Sequence, residues 1–76
     1  MKLHNTKTGV AFNTRTTKEL GCFKSIVERW ECDANGIPTR AYASSIEKHA
    51  TRSQARHYAE SMARYQFRKH CSIFGM

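Results

Sequence analysis

The sequence predicts an α+β fold: an antiparallel β-hairpin or small sheet packed against one long C-terminal amphipathic helix. Two observations predict it. Asp33-Ala34-Asn35-Gly36 is a strong reverse turn between two stretches able to form strands. Residues 51–70 then run without Gly or Pro and carry apolar side chains at helical spacing. With 76 residues the chain is expected to form a single small domain. Its parts are residues 1–22 as N-terminal strands or a hairpin, 23–45 as a β-hairpin, and 51–70 as a basic amphipathic helix.

At the N-terminus, Thr6-Lys7-Thr8-Gly9 separates Leu3-His4-Asn5 from Val10-Ala11-Phe12 and suggests a short hairpin. The next stretch admits two readings. Leu20, Phe23, Ile26, Val27 and Trp30 fall at helical spacing, with Thr16 and Glu19 as a capping box and Gly36 as a stop, which would make residues 17–34 a helix. Gly21, the β-branched pair Ile26-Val27 and the 33–36 turn favour a strand instead. Pro38 lacks an N–H, so it must open a strand or sit on an edge. Trp30 reads as a core anchor.

The C-terminal helix has the clearest start. Thr51 is a good N-cap, with Gln54 three residues later. Ala55, Tyr58, Ala59, Met62 and Tyr65 share one arc, and Arg56, His57, Glu60, Arg64 and Arg68 the opposite one. Two alanines on the apolar arc would let the helix lie close to a sheet.

The formal net charge is +7, from 13 Lys+Arg against 6 Asp+Glu. Most of the excess lies in residues 37–76, where seven basic side chains face two acidic ones. Such a balance points to an anionic partner. Arg52, Arg56, Arg64 and Arg68 recur at multiples of four, and Lys69 and His70 extend them. Arginine forks match phosphate oxygens bidentately, so this face is the candidate binding surface, with Arg29 and Arg40 as contacts from the sheet. Tyr42, Tyr58, Tyr65, Phe67 and Phe74 could stack on bases, but a core role suits Tyr58 and Tyr65 better.

Other chemistry has weaker signals. Cys22, Cys32, His70 and Cys71 are zinc-ligand types at unsuitable spacing, so no metal or other cofactor is expected. No nucleophile motif, carboxylate pair or Gly-rich phosphate loop is present, and the chain is read as no enzyme. No run reaches 18 apolar residues, and the N-terminus has no signal-peptide core. An odd number of cysteines fits reduced thiols, so a cytoplasmic location and no membrane are expected. A small core and an exposed edge strand would also favour a homodimer.

The Trp30-bearing strand, the Asp33–Gly36 turn, the Arg40/Tyr42 strand and the helix start Thr51-Arg52-Ser53-Gln54-Ala55 are similar to the hairpin-plus-helix layout of the arm-type DNA-binding domain of mobile-element integrases. The resemblance covers residues 23–66. It implies a sheet that enters the DNA major groove with Lys24, Arg29 and Arg40 toward the bases. The same layout resembles small phage proteins that inhibit host machinery, including RNA polymerase inhibitors and anti-CRISPR proteins. Two functions therefore follow as expectations. One is a small basic protein that engages nucleic acid, or a complex bearing it, through an Arg-rich helix face. The alternative is a phage-encoded inhibitor that docks on an acidic surface of a host nucleic-acid machine, such as RNA polymerase or a CRISPR or defence nuclease.

Overall fold

A computed structural model describes residues 1–75. Strands β1 (Lys2–His4), β2 (Val10–Glu19), β3 (Cys22–Cys32) and β4 (Pro38–His49) are followed by helix α1 (Arg52–Phe74). The strands form one antiparallel sheet in the order β1-β2-β3-β4, with α1 across one face. The α+β expectation is met.

The 33–36 turn closes as its residues dictate. The Asp33 carboxylate accepts from the backbone N–H of Asn35 (2.9 Å) and Ile37 (3.0 Å), and Gly36 takes φ 78°. Pro38 opens β4 opposite Cys32, where no ladder N–H is needed. The hairpin is longer than 23–45, running from Cys22 to His49.

The helical alternative for residues 17–34 is overturned. Residues 22–32 form a strand that pairs with β2 on one side and β4 on the other. Local spacing loses because two ladders satisfy this backbone, and because adjacent Ile26 and Val27 bury against opposite faces. Leu20, read as part of the helical stripe, instead lies fully exposed at the tip of the β2–β3 turn.

The sheet's two faces differ. On the helix side Val10, Phe12 and Val27 meet Ala59 and Ala63, with Leu3, Met62 and Phe67 packed around them. Ala55, Ala59 and Ala63 have no accessible surface, so α1 lies close on the strands. The buried arc is thus centred on these alanines and His70, and Tyr65, expected on it, is 54% exposed. Among the described residues the other face has no covering element. It carries Ala11, Ile26 and a half-buried Trp30, whose indole Nε1 is buried without a hydrogen-bond partner. Trp30 is therefore not the anchor of the helix-side core.

The helix ends are capped. Thr51 Oγ1 accepts from the N–H of Gln54 at 3.1 Å, as the sequence predicts. At the other end Gly75, at φ 77°, donates to the Cys71 carbonyl. The helix thus outruns the expected 51–70 span by a full turn. Among the described residues no helix is long and apolar enough to cross a membrane.

Candidate nucleic-acid interface

The expected row of helix cations does not form one stripe. Steps of four residues advance about 40° per step on a helix with 3.6 residues per turn, so Arg52 and Arg68 point well apart. Arg52 turns toward the sheet, its guanidinium 5.1 Å from the Phe23 ring centre. Arg56 is engaged by Glu60, Nε to Oε1 3.4 Å. Arg64 and Arg68 remain outward and pair with no carboxylate among the described residues. Lys69 leans instead into a cleft.

This cleft, of about 340 Å³, opens between the C-terminal half of α1 and strands β3 and β4. Arg29 and Lys69 supply its positive charge, and Tyr42, His70 and Phe74 supply rings. The Arg29 guanidinium lies 5.7 Å from the centre of the Phe12 ring. Its Nε is buried with no hydrogen-bond partner, since the nearest carboxylate oxygen, Oε1 of Glu31, stands 3.6 Å away. Tyr42 and Phe74 are 40% and 53% exposed, so their rings border solvent. Arg40 sits beside the cleft, 4.9 Å over the Tyr42 ring. Between floor and wall, the Ser44 hydroxyl lies 2.6 Å from Gln66 Oε1.

No family model, curated protein or solved structure matches this chain.

His70 is buried against the rings of Phe12 and Phe74 and lies 2.7 Å, through Nε2, from the Thr8 hydroxyl. Burial, and then the Arg29 charge, hold its pKa below the ordinary histidine value. The ring is therefore neutral at pH 7. Thr8 Oγ1 also accepts from the Val10 N–H, so this hydroxyl ties the β1–β2 turn to His70. Among the described residues lining the cleft, the charged side chains are Arg29, which has Glu31 3.6 Å away, and Lys69.

The sheet does not gather the cations that the integrase resemblance implies. Arg29 faces the helix side, opposite Phe12 and Tyr42, and Arg40 follows on that side opposite Glu31. Lys24, five residues from Arg29 in a regular strand, lies on the other face opposite Lys48. One docking surface cannot use all three. Among the described residues, no cluster of three or more His, Cys, Asp or Glu is placed to hold a metal ion. Cys22, Cys32 and Cys71 form no disulfide.

The structure thus brings together Arg29, Lys69 and, beside them, Arg40. It leaves Arg64 and Arg68 on the outer helix face, and separates Arg52 and Arg56 from both groups. Ser44 and Gln66 are cleft residues that sequence reasoning missed, and His70, read as an extension of the basic face, is instead a buried ring of the cleft. The signals that touched this region were the basic and aromatic character of the C-terminal half and the choice of Arg29 and Arg40 as sheet contacts.

Proposed function

We propose that the protein is a small non-enzymatic module that binds nucleic acid, with an unstacked base in the cleft beside Lys69 and the phosphates that follow passing round α1 to Arg68 and Arg64. The observation that carries this reading is the cleft that joins Arg29 and Lys69 to exposed Tyr42 and Phe74, on a helix whose outer face carries Arg64 and Arg68 in no ion pair among the described residues. Charge tracks a backbone, and rings accept any base, which is the combination that single-strand binding uses. The volume is at the lower end for a small-ligand pocket and suits one base rather than a duplex. Titration of a labelled single-stranded oligonucleotide across a salt series tests it. Affinity should fall steeply with salt, and R64E/R68E should remove most of it. Affinity that is flat in salt ends the proposal.

A second reading is a phage-encoded inhibitor that masks an acidic surface on a host nucleic-acid machine. Exposed Ile73 beside Lys69 favours it, because mixed apolar and cationic patches suit protein interfaces. A pull-down from nuclease-treated bacterial lysate separates the two. A stoichiometric protein that survives nuclease supports the inhibitor, and loss of all bound material supports the first reading.

A further inference from the structure

Strand β4 is the outer edge of the sheet, twelve residues long, and its side chains are exposed except for half-buried Ser45 and His49. Its outer N–H and C=O groups meet no strand. A long open edge is a template for pairing, and proteins usually shorten or charge it. The opposite edge is shortened: β1 has only three residues.

We infer that β4 pairs antiparallel with β4 of a second copy, giving a twofold dimer with one continuous sheet. The argument rests on register. Arg40 and Glu47 stand opposite Glu31 and Ser25 of β3, and both therefore lie on the helix side. Tyr42 and Ser45 stand opposite Arg29 and Val27, also on that side. Ala41 and Ile46, opposite Trp30 and Ile26, lie on the open face. A single antiparallel register sets Arg40 against the other copy's Glu47, Tyr42 against Ser45, and Ala41 against Ile46. Every one of these pairs matches in face, and the first matches in charge. Neither Arg40 nor Glu47 makes an ion pair within its own chain among the described residues.

The bulge makes this fit specific. The ladder slips between Glu28↔Ala43 and Val27↔Ser45, so Ser44 is an extra residue in β4. A regular strand would be one residue short across that point, as β3 is on the inner side. A second copy carries the same extra residue at the mirrored place, so both strands have equal length between their matched arms. Pairing also closes the assembly, because only the short β1 edges remain outside. The exposed apolar Ile46 gains a partner across the twofold axis. The inference rests on the register of β4 and not on nucleic-acid binding, although Tyr42 and Ser44 of this strand also border the cleft.

Sedimentation equilibrium from micromolar to millimolar protein tests it, with charge-swap variants. Wild type should reach twice the monomer mass. R40E and E47R should each weaken the dimer roughly tenfold, since each places like charges opposite at two symmetric positions. R40E/E47R should restore it. In wild type, outer-edge amides of β4 should become protected from hydrogen exchange at dimeric concentrations and lose that protection on dilution. This readout needs no variant to fold. A monomer at every concentration overturns the inference. So does a dimer without concentration-dependent protection in β4, or one that the double variant fails to restore while retaining a native circular dichroism spectrum.

Discussion

The side-chain amide of Asn5 donates to the carbonyl oxygen of Gly75 across 2.8 Å, tying the N-terminal turn to the end of α1. Asn5 is fully buried, and its Oδ1 accepts from the N–H groups of Lys7 (2.9 Å) and Thr8 (3.1 Å). One side chain therefore satisfies backbone groups at both ends of the chain. Asn5→Ala leaves those part-buried groups without their partner and a cavity at a fully buried side chain, and should cost about 2–4 kcal/mol. Chemical denaturation measures the loss, and hydrogen exchange should show the last turn of α1 opening first. A change below about 0.5 kcal/mol would mean that this link does not hold the two ends.

Gly9 and Gly21 share φ 78° but not their surroundings. A Cβ on Gly9 would stand 2.9 Å from the Cys32 carbonyl oxygen, whereas one on Gly21 meets nothing within 4 Å. Gly21→Ala should therefore cost only the backbone strain, about 1–2 kcal/mol. Gly9→Ala adds a clash with β3 backbone and breaks the Cys32 N–H bond to the Gly9 carbonyl (3.1 Å), so it should cost clearly more. Thermal melts of the two variants compare them directly, and equal losses would contradict the packing at Gly9.

Acid should destabilise the fold through His70 before it touches the carboxylates. The folded pKa of His70 lies below the ordinary 6.5, so below that pH the unfolded chain binds the proton that the folded chain refuses. Stability is complete above the ordinary value and declines as pH falls from there toward the lowered folded value. Protonation of the ring also puts a cation beside Arg29. Glu19, held below its ordinary 4.5 chiefly by its hydrogen bond to Lys24, gives its stabilisation up only at lower pH. Urea midpoints between neutral pH and pH about 5.5 should fall for wild type and stay nearly level for His70→Gln. An equal slope in both would move the effect to another group.

The sequence was legible where chemistry is local. The 33–36 turn and the Thr51 cap formed from side chains that bond their own neighbours, so short motifs were enough. The conformation of residues 22–32 was not local. Ile26-Val27 suits either period, and pairing with both neighbouring strands decides it. The candidate site was less legible still. Arg29 and Lys69 are forty positions apart, and only the crossing of α1 over β3 brings them to one cleft. The arginine row misled because equal spacing in sequence was taken as one direction in space, whereas Phe23 and Glu60 draw Arg52 and Arg56 away.

That difference gives the sharpest test of the binding surface. Arg56→Gln and Arg68→Gln remove the same charge from the same helix, so their long-range electrostatic effects are equal. Both are exposed, but Arg68 is in no ion pair among the described residues, while Arg56 already lies 3.4 Å from Glu60. A phosphate contact made by Arg68 contributes about 0.7 to the slope of log affinity against log salt for a single strand. Arg68→Gln should lower that slope by about this amount and weaken binding severalfold at low salt. Arg56→Gln should leave the slope unchanged and free Glu60 to repel the strand slightly. If both variants lose the same slope, net charge rather than the geometry of α1 sets the affinity, and Arg64 and Arg68 have no special place in it.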